Sequence, residues 1–276
     1  MFTLKKHEFE VERKGEIDVY DPAGLMNTVE GLSSGLRVEH IATFDLVTCR
    51  PSAQTMRVLS DPGLSAFDYV PVEDDGGRVV GVLDRDCSAS GRVDQAMNML
   101  NDCLVVSKMT GLTDFLGTIA DRRFALVEDA GIVTGIVTRS DLLKLPVRVV
   151  AFAHISQLEL VLGAIISRKY PHDSNDWTSF LAGRRRTMIE ERYGSLARDR
   201  INLTIVEVAQ FCDKRDVVRK ILDLPHEFHE DLREIEKYRN MIAHSSTFIH
   251  NDDGINRFIA CLQNTSKWVE QLARYD

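Results

Sequence analysis

The feature that most constrains this chain is an internal repeat in its first half. Val70-Pro-Val-Glu-Asp-Asp-Gly-Gly-Arg-Val-Val-Gly-Val-Leu-Asp-Arg85 returns, 54 to 55 residues later, as Ala125-Leu-Val-Glu-Asp-Ala-Gly-Ile-Val-Thr-Gly-Ile-Val-Thr-Arg-Ser-Asp141. Each copy reads as a short apolar strand, a turn marked by Glu-Asp and Gly, and a second apolar strand. A helical stretch precedes each hairpin, Ser52–Leu59 in the first and Leu112–Ala120 in the second. A unit of strand, helix, hairpin and helix is too small to bury its own sheet. Two such units must pair, each covering the other's apolar face.

From Pro146 the periodicity becomes helical and stays so. Ile155, Leu158, Leu162, Ile165 and Ile166 predict an amphipathic helix. Pro171-His-Asp-Ser-Asn-Asp breaks it, and helices are expected near Trp177–Tyr193, Leu203–Phe211, Val217–Leu222, from Glu227, and over Ile255–Leu272. The junction Lys144-Leu-Pro146 lacks linker composition, so the halves are expected to couple rigidly. No apolar run is read as long enough to span a membrane, and the N-terminus lacks a signal-peptide core. The five cysteines, Cys49, Cys87, Cys103, Cys212 and Cys261, form no C-x-x-C pair. They point to a reducing cytoplasm and to neither disulfides nor zinc. Cys212 and Cys261 are expected as small buried hydrophobes.

The repeat resembles the CBS domain pair, a module that binds adenosine-containing ligands. The likeness is clearest in Gly135-Ile-Val-Thr138-Arg139-Ser140-Asp141. By that resemblance Thr138 would meet a phosphate or ribose, and Asp141 would accept hydrogen bonds from ribose hydroxyls. A helix starting there would also offer free backbone N–H groups to an anion, and Asp141 has a second natural role as a helix cap. Strands near Cys103–Val106 and Arg123–Ala125 would supply the adenine pocket and, with Arg123 and Arg139, a phosphate contact. The first repeat carries Asp84 and Cys87 where the second has Thr138 and Asp141. One working site per chain is expected, taking AMP, ADP, ATP or a cyclic dinucleotide.

In the second half, Leu232, Ile235, Tyr238 and Ile242 form an apolar stripe on one helix. Arg239, Asn240 and His244 leave the end of that helix together. A guanidinium forks onto phosphate oxygens, and an imidazole moves protons near neutral pH. Arg239-Asn-Met-Ile-Ala-His244, near the end of an all-helical segment, resembles the HEPN family, many of whose members are metal-independent ribonucleases of toxin or antiviral defence systems. The resemblance implies a homodimer with facing motifs, Arg239, Asn240 and His244 as catalytic residues, and an acidic residue from the first long helix. Glu159, within that helix's apolar stripe, fits the role and needs a partner, for which Arg239 is the candidate. A silencing antitoxin is a further candidate partner.

The expected fold class is therefore α+β, a CBS domain pair over 1–146 (repeats about 41–90 and 91–146), followed by an all-α HEPN-like bundle over 147–276. The expected function is a metal-independent endoribonuclease regulated by an adenine nucleotide. The alternative is a non-catalytic nucleotide sensor with a helical dimerisation domain. The charge bears on this choice. Residues 1–146 carry 15 Lys+Arg against 23 Asp+Glu, and residues 147–276 carry 19 of each. RNA would bind the neutral half, where Arg184-Arg185-Arg186 is the local basic cluster, unless that triplet is a solvated face paired with Glu190 and Glu191. His226-Glu-Phe-His229 lacks the spacing of a zinc helix. Phosphate-loop, nucleophile-elbow and dinucleotide-turn motifs are absent from the sequence. Residues 1–40 receive no role.

Overall fold

A computed structural model describes residues 35–87, 90–170, 175–200, 203–243 and 252–275, together with residues 27, 29 and 31. The repeat folds as two three-stranded sheets. In the first, β1 (Tyr69–Glu73) pairs antiparallel with β2 (Val79–Asp84), and β2 with β3 (Asn98–Met99). In the second, β4 (Val105–Ser107) runs parallel to β5 (Phe124–Asp129), which pairs antiparallel with β6 (Ile132–Thr138). The hairpins share their irregularity: the register slips between Val72 and Glu73 in one and between Val127 and Glu128 in the other.

The two units exchange edges. β3 belongs by sequence to the second repeat but lies on β2 of the first. Thr43, at the start of the first repeat, bridges Ile136 of the second. Both crossings pass a glycine. A Cβ on Gly81 would stand 2.5 Å from the Asn98 carbonyl oxygen, and one on Gly135 would stand 3.0 Å from the Phe44 ring. The repeated glycine is thus a requirement of close strand approach. Val79, Val82, Leu126 and Ile136 form a buried cluster where the sheets meet.

Helices α1 (Thr55–Leu59), α2 (Val93–Ala96) and α3 (Leu112–Ile119) accompany the sheets. The first repeat has its own core around Val58, Val70, Val72, Leu83 and Val93. The second does not: Leu112, Phe115, Leu116 and Ile119 join one continuous core with the helical half.

That half contains α4 (Leu145–Lys169), α5 (Gly183–Arg198), α6 (Ile205–Val208), α7 (Phe211–Leu222), α8 (His226–Ala243) and α9 (Asp252–Leu272). No linker precedes it. A 3-10 turn over Arg139–Leu143 ends β6, and α4 begins at Leu145 with Pro146 in its first turn, where a missing N–H is harmless.

Three expectations need correction. First, α4 is apolar on nearly all sides and is long and apolar enough to cross a membrane by length and composition, although 67% of its most apolar stretch is buried. Arg148 and Glu159 interrupt the strict apolar run without lowering the average enough. It packs as the central helix of the bundle against α7, α8 and α9. Second, Trp177–Tyr193 is not one helix. Thr178 and Ser179 hydroxyls donate to the Asn175 and Asp176 carbonyls at 2.7 and 2.6 Å, stabilising a 3-10 turn over Asp176–Phe180, and Ala182 is extended before α5. Third, the helix expected over Leu203–Phe211 is only the short α6, opened by a Thr204–Glu207 capping box and ended by extended Ala209, and Phe211 already begins α7. Cys261 is buried as expected, whereas Cys212 is only partly so.

Candidate functional site

At the end of β6 the sequence Thr138-Arg-Ser-Asp141 closes on itself. Asp141 is 8% exposed. One carboxylate oxygen accepts from the Thr138 backbone N–H at 2.6 Å and from its hydroxyl at 3.0 Å. The other pairs with Lys144 Nζ at 2.8 Å. Lys144 Nζ in turn donates to the Ile41 carbonyl at 2.5 Å. Asp141 therefore caps the turn that feeds α4, and Lys144, read in the sequence only as part of the junction, anchors it. Arg139 donates through Nε to the Arg122 carbonyl at 3.2 Å and lies against the end of α3.

Arg123 turns to the first repeat. Its Nη1 lies 3.2 Å from Asp86 and 4.0 Å from Asp84, the counterpart of Thr138. The hydrogen bond to Asp86 holds its pKa above the usual arginine value, reinforced by Tyr69 and Asp84. Beside it Tyr69 and Phe124 stack at 4.8 Å across the repeats. Thr138 and Asp141 thus come together, while Arg123 makes its ion pairs at the first repeat's strand end.

In the helical half, α4 presents Glu159 and α8 presents Arg239. Glu159 Oε2 meets Arg239 Nη2 at 3.3 Å, and Oε1 meets Lys214 Nζ from α7 at 3.3 Å. Lys214 is 4% exposed, so a full cation sits inside the bundle with Glu159 as its acceptor. Neighbouring charges are likewise paired. Asp213 takes Arg185 of α5 at 2.5 Å, and Arg215 takes Glu236 at 2.5 Å and Asp216 at 2.9 Å. Sequence reading missed Lys214 because Asp-Lys-Arg-Asp looks like a solvated turn of helix. Only the bundle shows that three of the four point inward.

Asn240 is exposed, and its Oδ1 accepts a long 3.4 Å bond from Arg239 Nη1. Arg148 Nη2 donates to the Ile242 carbonyl at 3.2 Å, tying α4 to the end of α8. His244 lies outside the described residues. In the Arg184–Arg186 cluster, Arg185 is held inward on Asp213 and Arg186 pairs with Glu190 at 2.8 Å. The zinc candidates diverge in environment. His226 is exposed beside Glu230, whereas His229 has a buried Nδ1 with no hydrogen-bond partner. Burial, then Arg219 and Arg215, lowers the His229 pKa. Among the described residues there is no group of three or more potential metal ligands.

Two short sheets with exchanged edges, each flanked by helices, followed by a helical region, define the class: a CBS-type α+β fold leading into a helical segment. Residues 93–148 match the CBS domain family, so the chain carries a CBS domain. Three solved structures are similar to it. An uncharacterised conserved protein from Pyrococcus horikoshii is 21% identical, over 40% of this chain and 91% of its own, with a TM-score of 0.36. CBSX2 in complex with AMP is 23% identical, over 42% and 98%, also with a TM-score of 0.36. The CBS domain of a bacterial CNNM/CorC family Mg2+ transporter in complex with ATP is 20% identical, over 45% and 94%, with a TM-score of 0.36. No curated protein matches the chain.

Proposed function

We propose that this chain is an adenine-nucleotide-responsive, metal-independent endoribonuclease acting as a homodimer in the cytoplasm, with a CBS domain pair over 1–146 and a HEPN-like bundle over 147–276. One observation carries the reading: a single helix joins the two candidate sites. The Thr138–Asp141–Lys144 turn runs into α4 without a linker, and α4 holds Arg239 through Glu159. From Leu145 to Glu159 that rigid element spans roughly 21 Å. A ligand that competes for Asp141 or Lys144 acts on the first turn of the helix that positions Arg239, which gives nucleotide binding a physical route to the second site.

In RNA cleavage the 2′-hydroxyl attacks the adjacent phosphorus and the bond to the 5′-oxygen breaks. The products are a 2′,3′-cyclic phosphate and a 5′-hydroxyl. His244 of one copy takes the 2′ proton and His244 of the other protonates the leaving oxygen. Arg239 neutralises the pentacoordinate phosphate, and Asn240 orients it. Glu159 sets the direction of Arg239. AMP and ATP, seen on the CBS proteins above, are the first ligands to test, and an antitoxin that covers the Arg239 surface would silence the enzyme.

A second reading has its own observation. Arg239 is neutralised by Glu159, and the chain carries a net charge of −8. Both suit a nucleotide sensor whose helical half only assembles. Incubating RNA with the purified protein in EDTA separates the two. Cleavage that His244→Ala abolishes supports the enzyme, and cleavage unchanged by that substitution removes it.

A further inference from the structure

We infer that the groove between α7 and α8 grips a phosphate of the RNA chain flanking the one to be cut, with Arg219 and Arg233 as its cations and His229 between them. This rests on the ribonuclease reading and names what would hold the strand that site cuts. α7 ends at Leu222 and α8 begins at His226, so the two pack as an antiparallel helical hairpin. The Arg215–Glu236 ion pair fixes its register. Arg219, one turn further along α7, therefore stands level with the turn of α8 that precedes Glu236. That turn carries Arg233, and His229 lies one turn earlier still. His229, Arg233, Glu236 and Asn240 recur at spacings of four, three and four, so they line one stripe of α8.

The cations of this bundle fall into two groups. Lys214, Arg185 and Arg239 are each matched by an acid. Arg215 engages both nearby carboxylates, Asp216 and Glu236. Among the described residues neither Arg219, which is half-buried, nor Arg233, which is exposed, forms an ion pair or a side-chain hydrogen bond. Two guanidiniums at one level of a groove repel each other unless an anion lies between them. His229 adds a half-buried imidazole whose Nδ1 has no hydrogen-bond partner. After burial, Arg219, Arg215 and Arg233 lower its pKa against the opposing pull of Asp216, so the ring stands in a net positive field. A phosphodiester fits this chemistry, since each guanidinium forks onto its oxygens and the imidazole adds an N–H. The stripe leads past Glu236 to Asn240, beside Arg239. Arg233 and Arg239 are separated by roughly 9 Å of helix, so one strand lying along α8 can touch both.

The test uses the full-length protein and a short single-stranded RNA carrying 2′-O-methyl groups throughout, which keeps the phosphates and lacks the nucleophile. By fluorescence anisotropy, Arg219→Ala and Arg233→Ala should each weaken binding about tenfold, as loss of one charge-assisted hydrogen bond does. Each should also flatten the slope of log affinity against log salt by about 0.7, the share of one phosphate contact on a single strand. Circular dichroism spectra should stay unchanged. Arg57→Ala, which removes an exposed cation from α1 in the first repeat, should alter neither quantity. With cleavable substrates the two groove variants should raise KM for a long RNA and leave KM for a dinucleoside monophosphate, which has no flanking phosphate, where it was. A wild type that does not bind the modified RNA, binding indifferent to both groove substitutions, or an equal loss in Arg57→Ala would overturn the inference. Binding that depends on the groove, in a protein that leaves unmodified RNA intact, upholds this site and sinks the ribonuclease reading. Cleavage of long RNA whose KM the double groove variant leaves unchanged does the reverse.

Discussion

Removing the Glu159 carboxylate should cost more stability than removing the lysine it holds. Lys214 Nζ and Glu159 Oε1 are 3.3 Å apart. Unit charges at that distance attract by about 5 kcal/mol at an effective dielectric near ~20. Desolvation offsets much of that gain, so the informative quantity is what remains when one partner goes. Glu159→Gln leaves Lys214 charged and 4% exposed, an uncompensated buried cation worth about 3 kcal/mol or more. Lys214→Met leaves Glu159 with Arg239, a more exposed pair, and should cost about 1 kcal/mol or less. The double variant should recover about 2 kcal/mol relative to Glu159→Gln alone. Urea unfolding followed by far-ultraviolet circular dichroism reads all four proteins. Equal losses for the two single variants, with no recovery in the double, would refute the view that Glu159 compensates a buried lysine.

Further expectations concern the repeat and the seam between the halves. Gly81→Ala should destabilise the first sheet by about 1–3 kcal/mol, because the new methyl meets a backbone carbonyl at 2.5 Å. Gly131→Ala puts a methyl at a left-handed turn with open space, so calorimetric melting should show a smaller loss, from strain alone. His154 of α4 is half-buried against α3, 3.3 Å from the Thr113 hydroxyl, and that burial lowers its pKa below 6.5. The unfolded chain then takes up the proton first as pH falls. Stability contributed by the neutral imidazole is whole above pH 6.5 and declines below it. Unfolding midpoints across pH 5 to 7.5 should slope less in His154→Gln than in the wild type. Burial holds the Cys261 thiol up at about 12, so it should resist alkylation at pH 8 until the chain unfolds, as mass spectrometry would show.

What the sequence disclosed was local. Gly81 and Gly135, the Glu-Asp turns and the two hairpins announce themselves within a few residues, and α8 shows its core face through Leu232, Ile235, Tyr238 and Ile242. What it concealed depends on distant partners. The exchange of Thr43 and β3 between the sheets involves residues whose strand character comes only from pairing. Arg123 follows α3 in the second repeat, yet its carboxylates lie in the first. Asp213, Lys214 and Arg215 carry no local signal of burial, because their counterions stand on three other helices. Glu159 was visible as a carboxylate in an apolar stripe, but that signal could not show that it holds two cations. The length of α4 was also hidden, since its few polar residues mask an apolar average.

The central claim is that one helix couples nucleotide binding to RNA cleavage. The most direct measurement is the rate of RNA cleavage in EDTA against AMP or ATP concentration, for the wild type and Asp141→Ala, with the RNA ends identified. The carboxylate's charge-assisted hydrogen bonds to ribose would each contribute about 1.5–3 kcal/mol. The wild-type rate should therefore change saturably with nucleotide, yielding 2′,3′-cyclic phosphate ends, and the Asp141→Ala curve should shift at least roughly tenfold to higher concentration. A rate that is flat across saturating nucleotide, a curve that Asp141→Ala leaves in place, or no cleavage at all would contradict it.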